Sequence, residues 1–371
     1  MRISIMVHNL TGGGAERVAA LWASGFVERG DTVTLVIQEP TESIYHISEK
    51  VETVFLKRLS SNRIINGILS RLGVLRKKYI KELGSYLHKE KPDVFIGVMG
   101  PYARDAYSMS RDLGTTVIQT YHGSFDLPFN APENRRKDIE ICYSKDKDVP
   151  FRTVLTKADK EFIGKRMQNV FVMPNPLAFD PLSSVPEKQK YILACGRLDV
   201  WDVKGFDLLI KAWSKIASKH TEWILRIAGS GSERAKEQLN KMVQENQIID
   251  RIDFLGFRND VVDLYKESEI FVLSSRYEGF GMVLVEAMSQ GCACVACDYK
   301  GRQKEIITNE SEGLICNADD AEALSQALDL MIKDEKYRKQ CQINSLKRAA
   351  FFSVSNTIQR WDSIFEKIGI R

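Results

Sequence analysis

Short apolar runs alternate with helical patterns along the chain, and this alternation constrains the fold more than any other feature. An apolar, β-branched run at residues 2–7 is followed by a glycine loop, a helical pattern through Arg29 and a second apolar run at 32–37. Strand, loop, helix and strand in this order form a βαβ unit. Further apolar runs lie at 93–98, 115–121, 153–156 and 170–173. Such strands predict an α/β fold with a doubly wound parallel sheet covered on both faces.

A second alternation begins after a change in composition. Four of the ten prolines lie within residues 174–186, and proline fixes the backbone and removes a donor, so this segment predicts a linker between domains. Apolar runs then recur at 191–196, 223–229, 252–256, 269–275 and 292–298. At 371 residues the chain is too long for one typical core. We therefore predict two α/β units in tandem, followed by an amphipathic helix near 354–368.

The bulk composition indicates a globular protein of a reducing compartment. No apolar run approaches the roughly 20 residues of a membrane span, and the apolar stretch 3–7 is interrupted by His8 and Asn9, unlike a signal peptide. We therefore expect a cytoplasmic protein. The seven cysteines are an odd number, which is typical of free thiols. Three of them lie in 291-GCACVACD-298, which we interpret as a buried strand because paired C-x-x-C spacing is missing.

The glycine loops are compatible with more than one class of ligand. Gly12, Gly13 and Gly14 stand where a dinucleotide-binding loop would, but Arg17 occupies the third glycine position. Glu39 at the end of the second strand could mimic a ribose-binding acid. The interpretation as an NAD-dependent oxidoreductase is therefore less favoured but not excluded. A second strand–loop–helix junction lies at 229–233.

The segment 278-EGFGMVLVE-286 is the most informative motif. Its glycines allow a close ligand, and the N-terminus of the helix that follows favours a phosphate. Glu278 and Glu286 can hold hydroxyl groups on either side of that phosphate, which fits a nucleotide-sugar. Arg197 and Lys204 follow an earlier strand end and indicate an anion. Alternatively, the segment 278–286 is an amphipathic helix with two solvated acids, and Arg197 and Lys204 are solvated surface charges.

With these motifs the chain resembles the retaining glycosyltransferase family 4, of the GT-B fold. The resemblance rests on four segments: 12-GGGAE-16, 196-GRL-198 with 204-KG-205, 229-GSG-231 and 278-EGFGMVLVEAM-288. It covers nearly the whole chain and is strongest over 190–320. It implies two Rossmann-like domains facing across a cleft, an acceptor domain 1–180 and a nucleotide-sugar domain 188–346. Residues 347–371 would form a helix crossing back to the first domain.

The resemblance also implies the reaction. A hexose of the Gal, GalNAc or Glc type would pass from a nucleotide-sugar, expected to carry UDP, to a lipid-linked saccharide acceptor in surface polysaccharide biosynthesis. Anomeric configuration would be retained, and neither a cofactor nor a metal would be required. A nucleotide-sugar epimerase of the same fold and a non-catalytic nucleotide-sugar binding module remain alternatives. A binding module should have lost one of Arg197, Lys204, Glu278 or Glu286, and all four are present.

The resemblance assigns a role to each site residue. Arg197 and Lys204 would stabilise the leaving diphosphate, Glu278 would orient the donor sugar, and Glu286 would hold the ribose. His122 would contact the donor sugar, with a structural histidine as the alternative. The remaining donor-binding residues are Gly13, Gly14, Gly196, Gly256, Phe257, Gly281, Met282 and Val283. We interpret 146-DKD-148 as a solvated loop rather than a metal-binding acid pair.

A basic segment completes the analysis. Between Lys57 and Lys91 there are ten Lys or Arg and only two acids, with apolar residues near helical spacing. A basic amphipathic helix over 64–91 suits an anionic membrane, so we expect peripheral contact with the inner face of the cell membrane. Alternatively, its apolar side belongs to the core. Nucleic acid is not expected, because stacking aromatics do not interleave the charges.

Overall fold

The computed structural model describes residues 1–39, 42–56, 74–128, 131 and 133–370. It separates into two compact units. Unit 1 comprises Met1–Ala178 with Val354–Arg371, and unit 2 comprises Phe179–Ser353. The first division between them falls inside the proline-rich segment.

Unit 1 is built on a parallel sheet that, in the described residues, has seven strands in the order β3-β2-β1-β4-β5-β6-β7. The strands are β1 (Arg2–Val7), β2 (Thr32–Ile37), β3 (Glu52–Phe55), β4 (Val94–Val98), β5 (Thr116–Thr120), β6 (Phe151–Val154) and β7 (Val170–Val172). The strand order reverses at β1: β2 and β3 lie on one side of it, and β4 to β7 lie on the other. Every predicted apolar run of this half became a strand. The edge strand β3 was not predicted, because its sequence ETVF is short and largely exposed.

Five helices of unit 1 precede the linker in the described residues. They are α1 (Gly14–Glu28), α2 (Val74–Glu90), α3 (Tyr102–Ser110), α4 (Glu133–Lys145) and α5 (Lys157–Ile163). Helix α1 buries Val18, Trp22 and Phe26 against the sheet. Helix α4 differs from the others because it has no buried residue.

Unit 2 repeats the architecture with six parallel strands in the order β10-β9-β8-β11-β12-β13. The strands are β8 (Gln189–Cys195), β9 (Ile224–Ala228), β10 (Ile252–Gly256), β11 (Ser268–Leu273), β12 (Ala293–Asp298) and β13 (Leu314–Asn317). Its helices are α6 (Trp201–Lys204), α7 (Phe206–Ser214), α8 (Glu233–Glu245), α9 (Val261–Glu267), α10 (Met282–Ser289), α11 (Ala321–Lys333) and α12 (Glu335–Ala350). Leu225 of β9, Ile270 of β11 and Val295 of β12 lie in one core with Trp213 of α7.

The last helix, α13 (Val354–Lys367), belongs to unit 1. Its Trp361 is fully buried and meets Trp22 of α1 edge-on, with ring centroids 5.2 Å apart. Phe365 stacks on Phe26 at 6.1 Å. The apolar periodicity near 354–368 therefore reflects a surface of α1 that this helix covers.

The basic segment is described only from residue 74 onwards, so the predicted helix over 64–73 lies outside the described residues. In α2, Leu83 and Leu87 are fully buried in a core that also contains Phe95. The apolar side of this part belongs to the protein interior, as the alternative interpretation expected. Among the described residues, no helix combines the length and the apolar character that crossing a bilayer requires.

Candidate active site

Loops at the carboxyl ends of β8, β9 and β11 form the candidate site of unit 2. Because parallel strands end at the same edge of a sheet, residues far apart in sequence meet there. The loops after β8 and β9 pack backbone to backbone: a Cβ on Gly229 would lie only 1.7 Å from the carbonyl oxygen of Gly196. Glycine is therefore required at 229 because the neighbouring loop leaves no room for a side chain, not because of its backbone conformation.

Lys204 is held by the end of β11. It ends the short helix α6, and Gly205 follows with a φ of 64°, in the left-handed region that favours glycine. A Cβ on Gly205 would lie 2.0 Å from the carbonyl oxygen of Ser274. The Ser274 hydroxyl donates to the carbonyl oxygen of Lys204 at 2.9 Å. These contacts fix the backbone from which the Lys204 ammonium extends.

Glu278 receives that ammonium. The Nζ of Lys204 lies 2.6 Å from Oε1 of Glu278, and the hydroxyl of Ser275 donates to the same oxygen at 2.8 Å. Both side chains of the ion pair are mostly shielded from solvent, with 22% and 13% of their surfaces exposed. Charge-assisted hydrogen bonds of this kind are about twice as strong as neutral ones. The structure thus brings together two residues that we predicted to bind different parts of one ligand: Lys204 the diphosphate and Glu278 the donor sugar.

Helix α10 begins directly after this pair, with Gly281 as its N-cap. The N–H groups of a first helical turn have no acceptor within the helix and carry a partial positive charge. Met282 and Val283 of this turn are partly exposed, and the turn contains no acidic residue. An anion bound here would accept hydrogen bonds from these N–H groups, and no acidic side chain of the first turn would repel it.

Glu286 lies further along α10 and is 4% exposed. The hydroxyl of Tyr265 donates to its Oε2 at 3.1 Å. Burial raises the pKa of Tyr265 well above its ordinary value, so this hydroxyl stays a donor. Tyr265 therefore orients one carboxylate oxygen of Glu286.

Arg197 and Phe257 extend from the same edge. Arg197 is exposed and makes no hydrogen bond or ion pair with any described residue. Phe257, which follows Gly256 at the end of β10, is 71% exposed. Asp199 ties the loops of β8 and β9 together by accepting from the backbone N–H and the hydroxyl of Ser232 at 2.9 and 2.6 Å. These hydrogen bonds, with a smaller contribution from the charge of Arg197, lower the pKa of Asp199.

In unit 1 the glycine loop after β1 is closed by Tyr45. Its hydroxyl accepts from the N–H of Gly13 at 2.7 Å and donates to the carbonyl oxygen of the same residue at 2.9 Å. Gly13 is the N-cap of α1, and Gly14 is exposed at its first position. The sequence did not indicate Tyr45, because a tyrosine in a polar loop has no periodic signal.

His122 follows β5 and is partly buried, with both ring nitrogens engaged. Its Nε2 lies 3.0 Å from the hydroxyl of Thr120, and its Nδ1 lies 2.9 Å from Oδ1 of Asn175. Burial lowers its pKa to about 4, so the ring is neutral at pH 7. The amide oxygen of Asn175 can only accept, so Nδ1 carries the proton and Nε2 accepts from Thr120.

The interpretation of 146-DKD-148 as a solvated loop was wrong for Asp146. This residue is 2% exposed, forms an ion pair with Arg104 at 2.8 Å and accepts from the hydroxyl of Tyr121 at 3.0 Å. Burial raises the pKa of its carboxyl, against the opposing effect of Arg104. The sequence missed this because Arg104 lies 42 residues away on α3.

The interpretation of 291-GCACVACD-298 as a buried strand is confirmed. Cys294 and Cys297 lie in β12, Cys292 directly precedes it, and all three are buried free thiols. In the part of the chain that the structure describes, no group of His, Cys, Asp or Glu has the arrangement of a metal site.

Comparison with known proteins relates unit 2 to a protein family. Residues 180–348 match the family described as Glycosyl transferases group 1. An uncharacterized glycosyltransferase of Haemophilus influenzae is 26% identical over 370 residues, which cover 98% of this chain and 99% of that protein. The GalNAc-alpha-(1->4)-GalNAc-alpha-(1->3)-diNAcBac-PP-undecaprenol alpha-1,4-N-acetyl-D-galactosaminyltransferase of Campylobacter jejuni is 27% identical over 375 residues, covering 99% of both chains.

Among solved structures, HepE of Anabaena in complex with UDP and glucose has a TM-score of 0.75 and 16% identity, covering 99% of this chain and all of that chain. Two parallel-sheet units with this likeness define the GT-B fold. The full-length relatives and the family match of residues 180–348 support a bacterial glycosyltransferase. The predicted fold class and the predicted resemblance to bacterial glycosyltransferases are thereby confirmed.

Proposed function

We propose that the protein is a retaining glycosyltransferase that moves a hexose from a nucleotide-sugar to a saccharide acceptor. The observation that carries this proposal is the contact of Lys204 with Glu278 beside the N-terminus of α10. It joins a cation suited to a diphosphate and a carboxylate suited to sugar hydroxyls at one edge of a parallel sheet.

The cations stabilise the leaving group. Breaking the bond between the anomeric carbon and the diphosphate oxygen develops negative charge on that oxygen, and fixed donors lower the energy of this transition state. Lys204 supplies a point charge and Arg197 a fork of donors, each worth about 1.5–3 kcal/mol as a charge-assisted bond. The first-turn amides of α10 add their field. With this much positive charge from the chain itself, we propose that the reaction needs no resident metal.

Glu278 and Glu286 bind the two sugars of the donor. A carboxylate accepts two hydrogen bonds from a vicinal diol. Glu278, near the helix N-terminus, orients the transferred hexose, and Glu286, deeper on α10 and held by Tyr265, takes the ribose.

Retention follows from attack on the face that the leaving group vacates. The acceptor oxygen bonds to the anomeric carbon as the bond to the diphosphate breaks, and its proton passes to the departing phosphate oxygen. Lys204 and Ser275 hold Glu278 through Oε1, and we propose that this carboxylate orients the donor rather than attacking it. Isolation of a covalent glycosyl–enzyme adduct during turnover would contradict front-face attack.

The relatives support a choice of substrates. The Campylobacter enzyme is named for transfer of N-acetyl-D-galactosamine to a saccharide on diphospho-undecaprenol, and HepE was solved with UDP and glucose. We propose a UDP-hexose donor of the Gal, GalNAc or Glc type and a lipid-linked saccharide acceptor bound by unit 1. The reaction would serve surface polysaccharide synthesis at the cytoplasmic face of the membrane.

A donor screen tests the proposal. Thermal shift and slow donor hydrolysis are measured with UDP-, GDP- and ADP-hexoses, using wild type, Lys204→Ala and Lys215→Ala. Lys215 forms an exposed ion pair with Glu322 at 2.6 Å and is a matched control for loss of a paired lysine. We expect stabilisation and hydrolysis with a UDP-hexose in wild type and the control, and a large loss of both in Lys204→Ala. A screen in which no nucleotide-sugar binds wild type would refute the proposal.

A further inference from the structure

A cavity of about 410 Å³ lies inside unit 1 at the carboxyl ends of β4 and β5. Met99 and Pro101 follow β4, while Tyr121 and Phe125 follow β5, and all four line it. Small-molecule sites are concave spaces of roughly 300–1,000 Å³. In open α/β sheets such sites lie outside the carboxyl ends of the strands. We call this space the unit 1 pocket.

Helix α4 forms one wall of the unit 1 pocket. Arg135, Asp138, Ile139, Ile141 and Cys142 of this helix line it. The helix buries none of its residues, and Ile141 remains 39% exposed. Ile139 and Cys142 pack on a core cluster of unit 1, while the exposed part of Ile141 leaves apolar surface for another molecule to cover.

The charges of the unit 1 pocket balance. Arg104 is neutralised by Asp146 at 2.8 Å. Arg135 and Asp138 make no hydrogen bond or ion pair with any described residue, so one donor fork and one carboxylate are available. Burial raises the pKa of the Cys142 thiol to about 12, so the thiol adds no charge. The lining therefore fits a neutral ligand rather than a diphosphate, which Asp138 would repel.

Two further polar side chains in the lining, His122 and Ser124, already hydrogen-bond protein groups, and most of the rest is apolar or aromatic. Tyr121 and Phe125 meet edge-on with ring centroids 5.0 Å apart, and Ile139 and Ile141 face the cavity with them. A hexose with hydroxyls on every side would leave polar groups unpaired against such walls, which weakens binding. An acetamido group instead presents a methyl to the apolar wall and an amide to the polar groups. A plain hydrocarbon chain would leave Arg135 and Asp138 without partners.

We propose that the unit 1 pocket binds an N-acetylated hexosamine of the acceptor saccharide. Arg135 and Asp138 hydrogen-bond its ring hydroxyls, and Ile139 and Ile141 cover its acetyl methyl. The proposal rests on the proposed function, because it names the substrate class that unit 1 would accept. It assigns specificity to residues of α4, none of which the sequence had indicated.

Saturation-transfer NMR tests the pocket with small probes. Methyl N-acetyl-β-glucosaminide, methyl N-acetyl-β-galactosaminide and the two matching non-acetylated methyl hexosides are compared on the full-length protein. We expect transfer to at least one acetylated probe, strongest at its acetyl methyl, and at least fivefold weaker transfer to the hexosides. Equal transfer to acetylated and non-acetylated probes would overturn the proposal.

Two variants locate the binding. Ile141→Trp fills the pocket and should reduce the acetyl signal at least fivefold, while Ser144→Trp places the same ring on an exposed residue of α4 outside the lining and should leave it unchanged. Should Ile141→Trp not fold, Asp138→Asn replaces it and should weaken binding severalfold. Unchanged signals in the folded pocket variant would also overturn the proposal. UDP binding is measured in parallel: it should persist in both variants, and its loss in wild type would count against the proposed function alone.

Discussion

In unit 2 the ammonium of Lys204 lies 2.6 Å from Oε1 of Glu278, a residue 74 positions further along the chain. Ser274 and Ser275, at the end of β11, hold the two partners: the hydroxyl of Ser274 donates to the carbonyl oxygen of Lys204, and that of Ser275 donates to the Glu278 carboxylate. A diphosphate on Lys204 would compete with this carboxylate. We propose that diphosphate binding to Lys204 releases Glu278, which can then bind the donor sugar.

Removing either member of this pair should abolish most turnover. We expect Lys204→Ala and Glu278→Ala to reduce kcat/KM by about 10²–10³-fold, the loss typical of a removed transition-state donor. Both should remain folded, because the pair lies at the edge of the sheet rather than in the core. Steady-state rates and thermal unfolding are the measurements, with Lys215→Ala as control. A variant at either position with wild-type kcat/KM would show that the site is misassigned.

Ser275 should act by positioning Glu278. Loss of its hydrogen bond to a charged acceptor corresponds to about 1.5–3 kcal/mol, so Ser275→Ala should lower kcat roughly 10- to 100-fold. The donor KM should change less, since Lys204 and Arg197 still bind the diphosphate. Ser275→Thr retains the hydroxyl and should restore most of the rate. Equal rates for the Ala and Thr variants would indicate that the hydroxyl has no such role.

Gly229 and Gly256 should differ sharply in their tolerance of alanine. A Cβ on Gly229 would strike the carbonyl oxygen of Gly196 at 1.7 Å, whereas a Cβ on Gly256 meets no atom within 4 Å. Gly256 has a φ of 67°, so Gly256→Ala should cost about 1–2 kcal/mol through the left-handed backbone alone. Gly229→Ala should cost about 3 kcal/mol or more, because two loops must move apart. Urea unfolding of both variants decides the matter, and equal destabilisation would contradict the close packing of the loops.

His122 should make unit 1 less stable as the pH falls. Its pKa of about 4 in the folded protein lies below the ordinary 6.5, because burial disfavours the charged ring. Between pH 6.5 and 4 the unfolded chain therefore binds a proton that the folded protein does not, so stability decreases as pH falls through this window. The loss should reach on the order of 3 kcal/mol.

The imidazole proton shifts in NMR measure this pKa directly, and we expect a midpoint near 4. His122→Asn keeps a donor toward Asn175 but cannot be protonated in this range. Its urea midpoint should fall less than that of wild type between pH 7.5 and 5. A midpoint above 6 in the titration would contradict the neutral, doubly hydrogen-bonded ring.

Membrane binding, if it involves α2, should be electrostatic. Leu83 and Leu87 of this helix are buried, whereas cations such as Lys77 and Lys81 are exposed. We expect co-sedimentation with anionic but not neutral vesicles, weakening as salt shortens the Debye length from about 10 Å at 0.1 M. Replacing both lysines by glutamine should reduce binding severalfold, and Lys241→Gln in unit 2, at 76% side-chain exposure, serves as control. Equal binding to neutral vesicles would contradict this expectation.

Periodicity in the sequence was sufficient to predict most strands and the fold class. Runs such as 32–37 and 293–298 are predominantly apolar and almost wholly buried, as is typical of strands covered on both faces. The strand β3 escaped prediction because an exposed edge imposes no such pattern. The glycines at 205 and 229 were visible as motifs, but the sequence did not show which backbone atoms they approach.

The sequence by itself determined the two parallel sheets, the glycine loops and the residue types at their carboxyl ends, because these are local patterns along the chain. Only the tertiary structure decided that Lys204 pairs with Glu278, that Asp146 is buried against Arg104, and that α4 walls a cavity. Each of these relationships joins strands or helices whose distance is set by sheet order and register. Such contacts leave no periodic trace in the residues that make them.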